Sequence, residues 1–310
     1  MALTSKAHEM RQNGEDIIVL TVGEPDFDTP DNIKLAAIEA IKSGDTKYTA
    51  VDGTPALKDA IVEKFKRENQ LSYSPEQISV GTGGKQIIFN ALLATINLGD
   101  EVIIPAPYWV SYPDIVDFAG GNSVIIECDE STNFKLTAKQ LEGAITSKTK
   151  WFILNSPSNP TGSCYTESEL IEIAAVLEKN PHVNIMSDDI YEHLVYDNFV
   201  FKTIAQINPN LLEQTLTING VSKAYAMTGW RIGYAAGNKN LIKAMAKLQS
   251  QSTSNPSSIS QAAALEALNG DQRFLKLRAE VFKKRRNFIV RALNGMTGIT
   301  CSMPEGAFYA

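Results

Sequence analysis

Lys223 has the clearest chemical potential in this chain, and it lies in a stretch of small and polar residues at 219–233. It follows an apolar segment at 215–218, and Arg231 stands eight positions later. A lysine amine can form a Schiff base with an aldehyde, and a guanidinium offers a planar, permanently charged fork that suits a phosphate. The alternative is a surface lysine near a strand end, because lysines are common and mostly exposed. Other residues of the chain are needed to distinguish between these two interpretations.

A glycine-rich run, Gly81-Thr82-Gly83-Gly84-Lys85, is a second candidate for binding a phosphate. It opens a helical pattern, and the N–H groups at the amino end of a helix attract anions. It is not a Walker A loop, because Gln86 stands where that motif needs serine or threonine. Lys85 is electrostatically unfavourable near a helix amino end unless an anion lies nearby. The alternative is a solvated lysine.

Polar and aromatic residues that follow other apolar segments are candidates for holding a ring. Asn159, in the turn-rich loop 155–162, carries an amide that can donate to a phenolate oxygen. Asp188 ends an apolar segment, with Tyr191 three residues later, and a carboxylate there can keep a pyridine nitrogen protonated. Trp109 offers a face that can stack on a ring. The alternatives are a simple β-turn for the loop that holds Asn159, a helix cap for Asp188 and a core position for Trp109. Pyridoxal phosphate is the cofactor that uses lysine Schiff-base chemistry most widely, so these residues together favour it.

Composition, charge and cysteine usage exclude several classes of protein. The 310 residues leave room for one large α/β core and a second lobe. The chain has 29 lysines and arginines and 35 aspartates and glutamates, which give a net charge of −6. There is no basic block, so nucleic acid is not an expected partner. No apolar run reaches about 18 residues and the amino end lacks a signal-peptide core, so no membrane segment is expected. Three widely spaced cysteines and three scattered histidines predict a reducing cytoplasm and no metal site.

Short apolar segments alternate with helical patterns along the chain. Helices are predicted from Pro55, behind the cap Thr54, from Gly84, and from the capping box that begins at Thr166. Strands are predicted at 101–104, where Pro105 ends the strand, and at 123–128, 150–154, 183–186, 215–218 and 232–236. The alternation predicts an α/β fold whose mostly parallel sheet has helices on both faces. Ligands bind beyond the carboxyl ends of strands in such sheets, so the polar motifs are expected to converge there.

Taken in this order, the motifs resemble the class I aminotransferases of the type I pyridoxal-phosphate fold, most closely the bacterial aspartate aminotransferase branch. The resemblance covers nearly the whole chain, and its motifs are residues 22–30, Lys47-Tyr48-Thr49, Gly53, the glycine-rich run, Pro107-Tyr108-Trp109, residues 155–162 and 187–192, the lysine stretch and residues 304–309. It implies a three-layer large domain at 31–285 that binds the cofactor. Residues 1–30 are expected to contribute to a small domain, which resumes at 286–310 and is incomplete.

The resemblance implies catalytic roles for three residues. Lys223 is implied to form the Schiff base with pyridoxal 5'-phosphate, and Asp188 to hold the pyridine nitrogen of that cofactor. Tyr191 and Asn159 are implied to contact the phenolate oxygen of the ring. Trp109 is implied to stack on the ring, and it is also expected, with Asn159, to contact the substrate.

The resemblance also implies residues for the phosphate and the substrate. The phosphate is implied to be surrounded by Gly83, Gly84, Lys85, Ser222 and Arg231. Tyr48 is implied to reach the phosphate from a partner subunit, which predicts a homodimer. Gly23 is expected to meet the substrate α-carboxylate through its backbone, and Lys85 is also expected to bind the distal carboxylate of an acidic substrate, because one ammonium has three donors.

The implied activity is transamination between an amino acid, aspartate or glutamate, and a 2-oxo acid in a ping-pong sequence. The alternatives on the same fold are an aminotransferase for aromatic or prephenate-type substrates and a carbon–sulfur lyase. Outside the enzymes, the alternative is a catalytically silent ligand-binding domain. The chain is expected to be a fragment, short at both ends, because no arginine occupies the place where the family clamps the substrate α-carboxylate. Such a fragment is expected to bind the cofactor and to transaminate poorly.

Overall fold

A seven-stranded sheet forms the centre of the computed structural model, which describes residues 2–20 and 22–310. Its strands are β1 (Ile78–Gly81), β2 (Glu101–Ala106), β3 (Asn122–Glu127), β4 (Thr149–Asn155), β5 (Asn184–Asp188), β6 (Thr215–Gly220) and β7 (Gly233–Ala236). They lie in the order β1-β7-β6-β5-β4-β2-β3. Neighbouring strands are parallel except at β7, which is antiparallel to both β1 and β6. The prediction of a mostly parallel sheet is therefore confirmed, whereas β1 was not predicted.

The helices of the described residues fall between these strands and at the two ends of the chain. They are α1 (Ala2–Gln12), α2 (Asp31–Lys42), α3 (Pro55–Asn69), α4 (Gly84–Thr95), α5 (Ser111–Phe118), α6 (Ala138–Ala144), α7 (Glu167–Glu178), α8 (Ile204–Ile207), α9 (Lys239–Ser250), α10 (Ser258–Asn269) and α11 (Arg273–Asn294). Where the structure describes the chain, no helix combines the length and the apolar character needed to cross a membrane.

Strand β4 shows how the sheet buries both of its faces. Side chains alternate between the two faces of a strand. Trp151 and Ile153 accordingly join a core cluster with residues of α4, α5 and α9, whereas Phe152 and Leu154 join another with residues of α6 and α7. Helices therefore cover both faces, which confirms the predicted three-layer α/β fold.

Two predicted helix starts are fixed by their caps. The hydroxyl of Thr54 accepts a hydrogen bond from the N–H of Leu57, at 3.4 Å. Thr166 forms a reciprocal capping box with Glu169, whose carboxylate accepts from the Thr166 N–H at 2.7 Å. These bonds satisfy N–H groups that would otherwise have no partner in the first turn.

Pro105 does not end β2, and this part of the strand prediction was wrong. The strand runs on to Ala106, with Pro105 opposite Ile126 of β3. The register with β4 on the other side ends at Ile103, so from Pro105 onward β2 has a pairing partner only in β3. A proline is tolerated in a strand where no neighbour needs its missing N–H.

The segment 23–30 crosses from the lysine loop to α11 and is held at both ends. The Thr29 hydroxyl donates to the carbonyl of Ala226 at 2.7 Å and accepts from the indole of Trp230 at 2.9 Å. Asp26 accepts two hydrogen bonds from Arg285 of α11, at 2.7 and 2.9 Å. These contacts bring the beginning of the segment over Lys223.

Candidate active site

A cavity of about 150 Å³ opens where β4, β5 and β6 end and α4 begins. The three strands are parallel, so the residues at and beyond their carboxyl ends meet at one edge of the sheet. Nine of the residues predicted from the sequence line it: Gly84, Lys85, Trp109, Asn159, Asp188, Tyr191, Ser222, Lys223 and Arg231. The other lining residues are Ile88, Tyr112, Asn155 and Ile190. The predicted convergence of the polar motifs is therefore observed.

Lys223 is largely buried, and its amine points into the cavity. Its Nζ donates to the carbonyl oxygen of Gly23 at 2.5 Å and lies 5.7 Å from the ring centre of Tyr191. Burial lowers the pKa of Lys223, and the nearby Glu24 and Asp188 oppose that effect only in part. A lowered pKa leaves more of the amine neutral, and the neutral form is the nucleophile.

Asp188 is buried at the end of β5, and its carboxylate faces the cavity. Oδ2 accepts a hydrogen bond from the hydroxyl of Tyr112 at 2.6 Å, and Oδ1 accepts one from the N–H of Ile190 at 3.4 Å. Desolvation raises the pKa of Asp188, while the Tyr112 hydrogen bond acts against it. The alternative of a helix-capping aspartate does not hold, because turns and not a helix follow β5 here.

The loop 155–162 is fastened to the end of β5 by Asn155. Its amide donates to the backbone carbonyl of Asp188 at 2.9 Å, and its oxygen accepts from the N–H of Asn159 at 2.8 Å. Asn159 in turn lies beside Tyr191, where its side chain acts to lower the pKa of the phenol. Burial and the hydroxyl of Tyr309 raise that pKa more strongly, so the phenol of Tyr191 remains protonated.

Gly83, Gly84 and Arg231 form a cradle suited to an anion. Gly83 has a φ of +88° and caps α4 without a side-chain hydrogen bond, and a Cβ at this position would collide with the guanidinium of Arg231. Arg231 is held by donating to the carbonyls of Thr228 at 2.9 Å and Thr82 at 3.3 Å. An arginine beside the amino end of a helix concentrates positive charge, and buried Ser222 adds a hydroxyl. These residues fit the phosphate of pyridoxal phosphate.

Lys85 and Trp109 lie together in the wall of the cavity. Lys85 is exposed at the second position of α4, and its Nζ lies 4.8 Å from the ring centre of Trp109. Trp109 meets the ring of Tyr112 edge to face, with ring centres 5.4 Å apart. The cation–π contact offsets part of the cost of a lysine at this end of a helix.

Three predicted residues are not part of the cavity lining: Gly83, which belongs to the cradle described above, Gly23 and Tyr48. Gly23 touches the site through its carbonyl, which accepts from Lys223, and a Cβ on Gly23 would collide with the ring of Tyr309. Tyr48 is 92% exposed and does not line the cavity. Its predicted role, contact with the phosphate of a partner subunit, stays a prediction.

Tyr112, Asn155 and Tyr309 are site residues to which the sequence analysis gave no role. The hydroxyl of Tyr309 lies 2.5 Å from the hydroxyl of Tyr191. Asn155 could have been identified, because it ends an apolar segment like Asp188 and stands in the same loop as Asn159. Tyr112 and Tyr309 carried no such signal, because only the fold reveals where their hydroxyls point.

Comparison with known proteins agrees with this arrangement. The family described as aminotransferase class I and II matches residues 15–310. The aspartate/prephenate aminotransferase of Cereibacter sphaeroides is 64% identical over 309 residues, which cover 100% of this chain and 77% of that protein. The crystal structure of the aspartate aminotransferase from Rhizobium meliloti is 57% identical and superposes with a TM-score of 0.96, over 99% of this chain and 76% of that one. The aspartate aminotransferase from Thermus thermophilus, solved with maleate, is 44% identical with a TM-score of 0.93, over 99% and 79%.

The fold agrees with that of these relatives over the full range of the match, and the chain spans about three quarters of their length. The chain belongs to the class I and II aminotransferases, which are pyridoxal-phosphate-dependent enzymes that exchange the amino group of an amino acid with a 2-oxo acid.

Proposed function

We propose that this chain transaminates a dicarboxylic amino acid, aspartate or glutamate, with a 2-oxo acid as the second substrate. The observation that carries the proposal is that Lys223, Asp188 and Arg231 line one cavity. A reactive amine, a carboxylate for a pyridine nitrogen and a cationic anion site are the groups that the cofactor requires. When bound, pyridoxal phosphate supplies an aldehyde for the amine and a ring that takes up the electron pair released at the substrate Cα.

Lys223 provides the nucleophile and then the base. Burial lowers its pKa and so favours the neutral amine that attacks an aldehyde. With the cofactor bound and the substrate amine in place of Nζ, the same Nζ would accept the proton from the substrate Cα and would then donate it to the cofactor carbon that carried the aldehyde. The carbonyl oxygen of Gly23, in the segment that lies over Lys223, accepts a hydrogen bond from Nζ at 2.5 Å.

Asp188, Tyr191 and Asn159 orient and polarise the ring. The Asp188 carboxylate would keep a proton on the pyridine nitrogen of the bound cofactor, because an opposite charge stabilises the protonated form. Tyr191 stays protonated and can donate to a phenolate oxygen, and Asn159 lies beside it. Trp109 contributes an aromatic face to the wall of the cavity.

Lys85 supports the preference for a dicarboxylic substrate. Its ammonium is exposed at the cavity wall and, among the described residues, donates to no carboxylate and instead contacts the ring of Trp109. The Thermus thermophilus relative was solved with maleate, which is a dicarboxylate. The Cereibacter sphaeroides relative is named for both aspartate and prephenate, and prephenate also carries two carboxylates, so a prephenate-type substrate is the second candidate.

A homodimer, a cytoplasmic location and the domain division belong to the same proposal. The exposure of Tyr48 supports a contact with a second copy of the chain. The cytoplasmic location rests on the pattern of cysteines, none of which is paired in the described residues. The division at 30/31 and 285/286 stays a prediction, and α11 runs unbroken across its second boundary.

The proposal is tested by adding pyridoxal phosphate to the purified protein and fixing the covalent link with borohydride. We expect mass spectrometry to find the added mass on the peptide that contains Lys223. The Lys223→Ala variant should not be labelled. Lys139→Ala, which removes an exposed lysine of α6 outside the cavity, should be labelled like the original protein.

The second half of the test adds amino acids to the cofactor-loaded protein and records the visible absorbance. Aspartate or glutamate should abolish the band of the aldehyde form, and a 2-oxo acid should restore it. Release of pyruvate from a sulfur-containing amino acid without any 2-oxo acid would instead identify a carbon–sulfur lyase. A band that forms but responds to no amino acid would identify a silent ligand-binding domain.

A further inference from the structure

A buried ionic cluster lies directly behind the candidate active site, and no step of the proposed reaction uses it. Its centre is Glu192, whose carboxylate receives three donors. The ammonium of Lys64 and the amide of Asn219 donate to Oε1, the latter at 2.8 Å, and the amide of Asn69 donates to Oε2 at 2.8 Å. Lys64 has no exposed surface, so its charge depends on partners inside the protein.

A second carboxylate belongs to the cluster. Glu68 lies 3.6 Å from the Nζ of Lys64 and is bonded to the His193 imidazole at 2.9 Å. Glu68, Glu192 and His193 bring ligand atoms within 4.8 Å of one another, a spacing that a metal ion could use. Lys64 already contacts both carboxylates, so the cluster is a satisfied ion-pair network and we assign no metal to it.

Stability alone does not account for such a network. Burying an ion pair removes both charges from water, and well-packed apolar residues of similar size are often equally stable in its place. The positions of the bonded residues provide a better reason. Glu192 directly follows Tyr191, while Asn219 stands three residues before Ser222 and four before Lys223. One carboxylate therefore joins the two chain segments that carry the reacting groups.

The bond between Glu192 and Asn219 lies just past the end of the pairing between β5 and β6, whereas on its other side Asn219 is still paired with Tyr234 of β7. The pairing of β5 with β6 ends at Asp188 opposite Ile218, and one more backbone bond follows, from the Asp189 N–H to the Ile218 carbonyl. Beyond that bond, both polar atoms of the Asn219 side chain have partners. Its nitrogen donates to Glu192, and its oxygen accepts from the Gly220 N–H at 2.8 Å. The side-chain bond thus continues the connection between the two segments into the loops.

We propose that Glu192 is a positioning residue that holds the Tyr191 segment and the Lys223 loop in register through Asn219. The inference rests on the proposed function of Lys223. Lys64 and Asn69 from α3 keep the carboxylate of Glu192 ionised and oriented. A second contact joins the same two segments, because the ring centre of His193, next to Glu192, lies 5.9 Å from that of Tyr225, two residues after Lys223. A shift between the segments would move the amine relative to Asp188 and Tyr191, and small displacements of reacting groups cost large factors in rate.

The first test compares Asn219→Ala with Asn184→Ala. Asn219→Ala removes the connection but leaves Glu192 bonded to Lys64 and Asn69, so no buried charge is stranded. Asn184 is the matched control, because it stands at the far end of β5 and donates to the Lys150 carbonyl at 3.1 Å. We expect Asn219→Ala to slow the capture of pyridoxal phosphate by Lys223 about tenfold, roughly the effect of one lost charge-assisted hydrogen bond.

Hydrogen–deuterium exchange of the cofactor-free protein provides a readout that does not depend on activity. Amides at 219–226 should exchange faster in Asn219→Ala, while Asn184→Ala should leave them as they are. Unchanged exchange and an unchanged capture rate in Asn219→Ala would overturn the proposal. A wild-type chain that captures no pyridoxal phosphate would instead contradict the proposed function, and the exchange result would still stand by itself.

A double variant separates positioning from simple stabilisation. Lys64→Met with Glu192→Leu removes the ion pair at the centre of the cluster and leaves Glu68 in contact with Arg67 and His193, so resistance to urea should fall less than in Glu192→Leu alone. If Glu192 positions the two segments, the double variant should capture the cofactor more slowly than the wild type, as Asn219→Ala does, and its amides at 219–226 should exchange faster. If the cluster serves stability alone, capture and exchange both return to wild-type values, and that result would refute positioning.

Discussion

The hydroxyl of Tyr112 donates to Oδ2 of Asp188 across 2.6 Å, and this contact connects α5 to the end of β5. Both residues are buried, and desolvation raises the pKa of each. The hydrogen bond favours the ionised carboxylate and disfavours the ionised phenol, so it keeps the proton on Tyr112 and the charge on Asp188. Tyr112 therefore helps to hold Asp188 in the state that the proposed reaction needs.

Tyr112→Phe should shift the pH dependence of the reaction. Without the hydroxyl, the pKa of Asp188 rises further above its ordinary value, because desolvation is no longer opposed by this bond. The ionised carboxylate then persists only at higher pH, so the acid limb of the rate profile should move to higher pH. The measurement is the rate of the aspartate half-reaction between pH 5 and 9. Tyr73→Phe is the control, because that hydroxyl contacts Thr217 at 3.3 Å, outside the cavity, and its profile should stay in place.

Asp188→Ala should lower the rate of the half-reaction by about 100-fold or more, because a fixed charge at the ring is lost. The fold should survive, since the substitution removes a desolvated carboxylate rather than creating one. Circular dichroism and urea unfolding check the fold, and stopped-flow absorbance gives the rate. An undiminished rate in a folded variant would remove Asp188 from the mechanism.

Gly83→Ala should weaken the binding of pyridoxal phosphate by displacing Arg231. The added Cβ collides with the guanidinium, and the φ of +88° is unfavourable for any side chain. Gly99→Ala is a matched control, because Gly99 has a φ of +91° and nothing within 4 Å of its added Cβ. Both variants should lose about 1 kcal/mol of stability from backbone strain. Only Gly83→Ala should also raise the dissociation constant for the cofactor, and equal affinities in the two variants would contradict the assigned cradle.

Sequence reasoning reached the parts of the site that local chemistry specifies. Lys223, Asp188 and Asn159 each follow an apolar segment, and parallel strands must bring such residues to one edge of the sheet. The same reasoning wrongly ended β2 at Pro105. The pairing of β2 with β4 stops at Ile103, so no strand on that side needs an N–H from Pro105, and a sequence does not reveal where this pairing stops.

The residues that escaped prediction depend on contacts that are distant along the chain. Tyr112 and Asp188 are 76 positions apart, and Lys64 and Glu192 are 128 apart. Lys64 also reads as an ordinary surface lysine of a helix, yet it is fully buried, because Glu192, Asn69 and Glu68 surround its ammonium. Propensity and periodicity describe neighbours within a few residues, so they contain no information about which distant partner neutralises a charge.

Glu68→Gln should make the stability of the protein less sensitive to acid. Burial alone would raise the pKa of Glu68, but the bond from His193 and the charge of Lys64 more than offset this and lower it from 4.5 to about 2. Because the pKa in the folded state is depressed, this carboxylate stabilises the fold fully above pH 4.5, and the contribution disappears as pH falls toward 2. At neutral pH the contribution is on the order of 2–3 kcal/mol.

Urea unfolding at pH 7, 5, 4 and 3 measures this effect. The wild type should be more stable than Glu68→Gln at pH 7, and the difference between them should shrink steadily below pH 4.5, because the wild-type carboxylate becomes protonated first in the unfolded chain. Glu142→Gln, at an exposed position of α6, is the control and should have a stability close to that of the wild type. A difference for Glu68→Gln that is as large at pH 3 as at pH 7 would show that the side chain acts through its shape, with no contribution from its charge.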